Sequence, residues 1–180
     1  MHMKNKLIVS NSSPLMNLAI IGQLSLLHDL FGRITIPNEV WQELVIDGEG
    51  KPGTDEIIKA TSWIEISAVD NIALFRLLKK DLDTGEAAAI SLAIEKNADL
   101  ILLDEMDARS VAEIYNLPKA GVLGVLMRAK KQGLIKEIKP FLNSLNNDAN
   151  FWIKQQLYDR ILIEMGEYSR PAKRMRCKRL

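Results

Sequence analysis

Asp99-Leu-Ile-Leu-Leu-Asp-Glu-Met-Asp107 is the stretch that decides the fold. Residues 100–103 form an unbroken apolar run of strand length. A run without alternation suits a strand covered on both faces, as in a parallel sheet. The run stops at Asp104, and Glu105 and Asp107 follow at once. In open α/β sheets the ligand crevice lies just beyond the carboxyl ends of the strands. A buried strand therefore delivers several carboxylates to the edge where such sheets do their chemistry.

Outward from this stretch, strands and helices alternate. Residues 6–10 read as a first strand, and Asn11-Ser-Ser-Pro14 as a helix opening, with a cap-type residue and then proline in the first turn. Helical spacing over 15–21 and 24–31 is broken at Gly22. A second strand over 33–36 stops at Pro37, and Val40, Trp41 and Leu44 continue a helix to about Ile46. Gly48, Gly50, Pro52 and Gly53 mark an exposed loop. A short helix over 55–61 and a strand over 63–66 come next, then a helix over 74–82. Asp83-Thr-Gly-Glu86 opens a helix to about Asn97, whose alanines (Ala87, Ala88, Ala89, Ala93) suit close packing on a sheet. A helix over 107–115, a strand over 119–122, a helix over 123–131 closed by Gly133, and helices over 141–145 and 152–165 complete the chain. This order predicts a three-layer α/β/α fold with a parallel central sheet. Trp41, Trp63 and Trp152 are core candidates; Trp152, with Phe151, Leu157 and Ile161, forms an apolar stripe that belongs either to the core or to a dimer or partner-protein surface.

The chain has 180 residues, 47% of them hydrophobic, enough for one domain with a real core. We expect that domain over 1–166 and a flexible basic tail over 167–180. No apolar run reaches the roughly 18 residues of a membrane helix, and no signal-peptide pattern is present. The single cysteine, Cys177, excludes an internal disulfide and fits a reducing cytoplasm. Two histidines, His2 and His28, are too few for a histidine-rich metal site, so any metal is expected on oxygen ligands. Net charge is +1 but unevenly placed. Arg170, Lys173, Arg174, Arg176, Lys178 and Arg179 crowd the end, leaving 18 basic against 23 acidic residues, a body near −5. Such a tail attracts phosphate in a salt-dependent, sequence-blind way.

Three strand-to-helix junctions carry cation-binding residue types: Asn11, the pair Asp83 and Glu86, and the pair Asp104 and Asp107. Glu43, on the helix after the second strand, offers a fourth arm. Mg²⁺ and Mn²⁺ take carboxylates and water, and clustered carboxylates without a cation repel one another. The chemistry such a site supports is phosphodiester hydrolysis. Each residue also has a plain structural use. Asp83-Thr-Gly-Glu86 matches a capping box, Asn11 is a good N-cap, Asp104 can cap the next helix with Asp107 near its positive end, and Glu43 alone reads as a solvated helix residue. Capping explains each residue singly but not why one edge gathers so many.

At this point the chain resembles a known family. Ile8-Val-Ser-Asn-Ser-Ser-Pro-Leu15 and Ile36-Pro-Asn-Glu-Val-Trp-Gln-Glu-Leu44 resemble the first two motifs of PIN domains. Leu82-Asp-Thr-Gly-Glu-Ala-Ala-Ala-Ile90 and Leu102-Leu-Asp-Glu-Met-Asp-Ala-Arg109 resemble the third and fourth, and Gly121-Val-Leu-Gly-Val-Leu126 is similar to a segment of a prokaryotic PIN-like branch. The resemblance implies a four- or five-stranded parallel sheet and a Mg²⁺- or Mn²⁺-dependent ribonuclease site that leaves a 5′-phosphate and a 3′-hydroxyl. It assigns Glu43, Glu86 and Asp104 to the second, third and fourth acidic places. Asp107 supports, Asp83 caps or helps, and Ser12 or Ser13 orients the first-strand residue or a water. Single-stranded RNA is the implied substrate. Many relatives are toxins of toxin–antitoxin pairs, often homodimers, so an antitoxin protein is the implied partner. The basic tail would help to hold RNA.

The departure from the family pattern is Asn11, where PIN nucleases usually place Asp. An amide oxygen can ligate a cation but brings no charge. A charge-assisted contact is worth about 1.5–3 kcal/mol, roughly tenfold to a hundredfold in metal affinity. The alternative is therefore a PIN-like protein with impaired catalysis that binds RNA or a regulatory partner. A receiver-domain reading, with Asp104 as phosphoacceptor, lacks the acidic pair after the first strand and places Asp104 too late in the chain.

Overall fold

A computed structural model describes residues 6–168. Five strands form one all-parallel sheet in the order β3-β2-β1-β4-β5. They are β1 (Ile8–Ser10), β2 (Ile34–Pro37), β3 (Ile64–Ser67), β4 (Leu100–Leu102) and β5 (Lys119–Ala120). Register pairs Val9 with Thr35 on one side and Ile8, Val9 and Ser10 with Leu100, Ile101 and Leu102 on the other. The central place of β1 and β4 explains their composition, because both faces of each are covered. Ile8 and Leu102 pack into one core layer, Val9, Ile101 and Leu103 into the other.

The first layer is built by α1 (Ser12–Ile20), α2 (Ser25–Phe31), α3 (Asn38–Trp41) and α4 (Thr54–Lys59), with α8 (Val122–Lys131), α9 (Lys139–Asn147) and α10 (Gln155–Glu164). The second is built by α5 (Ile72–Leu78), α6 (Thr84–Glu95) and α7 (Met106–Ile114). The alanines of α6 are fully buried and let the helix lie close to the sheet. Truncating a buried strand leucine such as Leu102 to alanine would cost about 2–5 kcal/mol. The three-layer α/β/α architecture expected from the sequence is present. Among the described residues no single helix is long and apolar enough to cross a membrane.

Two local readings change. The helix after β2 is not uniform: α3 widens into a π-helical turn over Gln42–Ile46. Thr54 Oγ1 fastens this turn, donating to the Gly48 carbonyl at 2.7 Å and facing that of Leu44 at 3.3 Å. Trp152 is not a core residue but 82% exposed. The link between α9 and α10 is irregular, with Asn150 at positive φ, so the helical stripe does not begin until Gln155, and neighbouring Ile153 takes the buried place. Trp41 and Trp63 are partly buried and pack on the core. The proposed tail cations Arg170 to Arg179 and Cys177 lie outside the described residues. Glu167 docks on the body, accepting from the Ile138 and Lys139 amides at 2.7 and 3.0 Å and pairing with Lys130 at 2.8 Å.

Candidate active site

The strand order turns around between β1 and β4: β1 connects outward to β2 and β3, whereas β4 lies on its other side. This is the switch point at which open α/β sheets leave a crevice beyond the carboxyl ends. Asn11 follows β1, and Asp104 lies just past β4. Both stand where the sheet topology opens.

Asn11 occupies the N-cap position of α1 in extended backbone (φ −81°, ψ 174°) but makes no side-chain cap bond. Its backbone N–H donates to the Leu102 carbonyl at 3.1 Å, which ties the junction to β4. The side chain is 2% exposed, and its Oδ1 has no hydrogen-bond partner. A capping role would have satisfied that oxygen, and it does not. Asp104 likewise does not cap α7: Glu105 sits at that N-cap, without a side-chain cap bond. Asp104 instead reaches across to β5 and α8. Its Oδ1 accepts from the Val122 amide at 2.7 Å, in the first turn of α8, and its Oδ2 accepts from Asn17 Nδ2 at 3.1 Å. Burial pushes its carboxyl up to about 6 and Glu105 adds repulsion, against the bonds from Val122 and Asn17 and the nearby Arg109 guanidinium. Arg109 is itself held by a 2.9 Å bond to the Leu103 carbonyl.

Glu86 and Asp83 do form the capping box. The Glu86 amide donates to Asp83 Oδ1 at 2.7 Å, and the Asp83 amide to Glu86 Oε2 at 3.2 Å. An N-cap of this kind is worth about 1 kcal/mol. Yet Glu86 is only 5% exposed. Burial pushes it up to about 7, and Asp83, Glu105 and Asp107 add repulsion that the Asp83 backbone bond only partly offsets. Capping and membership of an acidic cluster are therefore both true of Glu86. Asp83 and Asp107 are exposed and act on it through space.

Glu43 projects from the π-helical turn. Its carboxylate accepts the Ser12 hydroxyl and lies directly over Gly85. A Cβ at Gly85 would collide with both Glu43 oxygens, so a larger residue there would push the Glu43 carboxylate from its place. Burial raises the Glu43 pKa, with Asp83 and Asp47 adding repulsion, while Ser12 and the Gly85 backbone favour the charged form. Gly121 plays the same part for the fourth acid: a Cβ there would stand 2.6 Å from Asp104 Oδ1. The Ser13 hydroxyl donates to Glu105, whose other oxygen is buried without a partner. Ser12 and Ser13 thus hold Glu43 and Glu105 and make no bond to Asn11.

Glu105, Asn17, Arg109, Gly85 and Gly121 are parts of this arrangement that residue types at the junctions did not single out. The signal for Asn17 was a polar residue inside an apolar helix; for Glu105 it was its place in the acidic run. Beside the cluster, a cavity of about 430 Å³ is lined by Asn38, Glu39, Gln42, Glu43, Asp47 and Thr84. One oxygen of Glu39 is also buried without a partner.

Among the described residues, no three Asp, Glu, His or Cys side chains converge into one ion-sized cluster. The donors still suit a hard, hydrated cation. Mg²⁺ characteristically keeps several waters and takes one or two carboxylates. Here two buried oxygens, on Asn11 and Glu105, stand unpaired, and burial and repulsion make the charged forms of Glu86 and Asp104 costly. A divalent cation would relieve both conditions.

A family model described as PIN domain matches residues 7–167 of the chain. No curated protein matches it.

Proposed function

The chain belongs to the PIN-domain family, a nuclease-type fold, and from that premise we propose that it is a divalent-metal-dependent endoribonuclease acting at the acidic carboxyl edge of the sheet. The observation that supports this is the set of acids that repel one another, Glu86 with Glu105 and Asp107 and Asp104 with Glu105, together with the buried, unpartnered oxygens of Asn11 and Glu105. Asp104 and Glu86 would hold Mg²⁺ or Mn²⁺. Asn11 Oδ1 would be a neutral donor, and Glu43 and Asp107 would assist directly or through water. When bound, the cation supplies Lewis acidity, neutralising charge that builds on the phosphate and acidifying the water it holds.

The chain's own residues do the positioning. Asp104 has both oxygens tied, so its direction is fixed before substrate arrives. Ser12 and Ser13 fix Glu43 and Glu105 from the first turn of α1. Glu86, buried beside Asp83, Glu105 and Asp107, carries a charge that is costly until a cation offsets it. The Arg109 guanidinium, beside Asp104, is the cation placed to balance the acids. In this proposal the substrate is single-stranded RNA, cut to a 5′-phosphate and a 3′-hydroxyl. An antitoxin protein is the regulatory partner and a homodimer the working unit.

One observation favours a second reading, RNA binding without cleavage: the first acidic place holds the neutral Asn11. The deciding experiment is cleavage of end-labelled single-stranded RNA in Mn²⁺, with and without EDTA, beside a filter-binding assay. Metal-dependent cutting with 5′-phosphate ends supports the nuclease. Retention without cutting, converted to cutting by Asn11→Asp, supports the binder. Neither retention nor cutting, over a broad RNA pool, overturns both.

A further inference from the structure

We propose that the cavity at the amino edge of the sheet, opposite the acidic site, binds a nucleoside phosphate unit, stacking the base on aromatic rings and holding the phosphate with two cations. The cavity, about 600 Å³, lies at the starts of β1, β2 and β3 and beside the end of α2. That volume falls in the range of small-ligand and cofactor pockets, roughly 300–1,000 Å³.

Three rings line it: His28, Phe31 and Trp63. His28 and Trp63 are already stacked, with centroids 5.6 Å apart and planes 23° from parallel. A 2.6 Å contact between His28 Nδ1 and the Gly32 carbonyl fixes the imidazole. Arg128 lies over the Phe31 ring at 5.2 Å. Every nucleobase has a π-face, so rings of this kind take bases with little regard for sequence.

The cations are Lys6 and Arg33, both exposed on the cavity lining. Among the described residues the ion pairs are those of Lys119, Lys130 and Lys131, and neither Lys6 nor Arg33 is in one. Residues 1–5 and 169–180 contain no Asp or Glu, so no acidic side chain from those segments can neutralise them. Thr35 and Glu65, also on the lining, are a hydroxyl and a carboxylate suited to ribose hydroxyls or base amino groups. A plain anion would use the cations and leave the rings idle, whereas a nucleotide uses both. The unit could come from a free nucleotide or from a nucleotide within an RNA chain. The inference does not rest on the ribonuclease proposal, because the cavity lies at the opposite edge and shares no residue with the acidic cluster.

The test uses the full chain with Trp41→Phe and Trp152→Phe, which leaves Trp63 as the only indole. In EDTA, where the proposed nuclease is silent, its fluorescence is titrated with AMP, with an eight-residue oligoadenylate and with inorganic phosphate. Saturable quenching by AMP identifies a free nucleotide; quenching by the oligomer alone identifies an RNA-borne one. In either case Arg33→Glu weakens binding about tenfold or more, the scale of a lost charge-assisted contact. Lys6→Glu serves if that variant does not fold. The proposal is overturned if neither nucleotide quenches saturably, if phosphate matches AMP in affinity, or if reversing a charge leaves the affinity unchanged.

Discussion

The two edges of one sheet carry opposite chemistry. At the carboxyl edge, burial and the repulsion of neighbouring acids raise the pKa values of Glu86 and Asp104. At the amino edge, Lys6 and Arg33 stand free of ion pairs among the described residues, beside three rings. Helix polarity accounts for part of the contrast. In a parallel α/β fold the helices start near the carboxyl edge and end near the amino edge, so partial positive charge meets the acids and partial negative charge meets the cations. Val122 at the start of α8, whose amide donates to Asp104, shows this at a single residue. Dipoles of that size, about 0.3–1 kcal/mol each, do not explain why acids are buried or why oxygens of Glu105 and Asn11 lack partners. At the carboxyl edge, the cost of ionising these buried acids is what the proposed cation would offset.

The sharpest way to break the contrast is Asp104→Asn. It keeps the shape and removes a charge that two bonds hold in place, and RNA cleavage should fall more than the ten- to hundredfold that loss of an outer-shell partner costs. Circular dichroism should stay unchanged; cleavage within twofold of wild type would remove Asp104 from the site. Asn11→Asp moves the other way, adding the missing charge, and should tighten Mn²⁺ binding about tenfold or more. No gain in a calorimetric titration would mean that Asn11 does not face the cation.

Gly85→Ala tests the cradle under Glu43. Overpacking of this kind costs about 1–3 kcal/mol, a loss of roughly 2–10 °C in Tm for a chain this size, with reduced cleavage. An unchanged Tm would show that Glu43 swings away freely.

Glu86 predicts a pH dependence. Its folded pKa, about 7, lies above its ordinary value of 4.5, so the folded state binds the extra proton between these values. Its contribution to metal-free stability is fullest below about pH 4.5 and is lost as pH rises through 7. Glu86→Gln should therefore flatten the fall in Tm across that window, and saturating Mg²⁺ should offset the fall in wild type. Equal slopes in the two proteins would sink this prediction. The smallest effect belongs to a residue outside both edges. Trp152→Ala should change unfolding free energy by no more than about 0.5 kcal/mol, and a larger loss in urea titration would mean that the exposed indole is covered in solution.

The sequence made the sheet legible because β4 is a continuous apolar run ending in an acid, and because capping residues mark where the helices begin. Spacing also showed which junctions carry polar groups. It did not show which side chains cross from one junction to another. Asp104 serves α8, eighteen residues on, rather than the helix it precedes, and Ser12 and Ser13 serve Glu43 and Glu105. Those choices depend on sheet order, which no local pattern encodes. The π-helical turn under Glu43 is tertiary in the same sense, since Thr54 from α4 fastens it. Trp152 misled because an apolar stripe was read through residues that are not yet helical.

The most direct test of the carboxyl-edge site is Mn²⁺ binding followed by electron paramagnetic resonance on wild type, Asp104→Asn and Glu86→Gln. One saturable site in wild type, lost or weakened at least about tenfold in both variants, is the expected result. Binding that is absent in wild type, or unchanged in either variant, would contradict an acidic edge built to hold a metal.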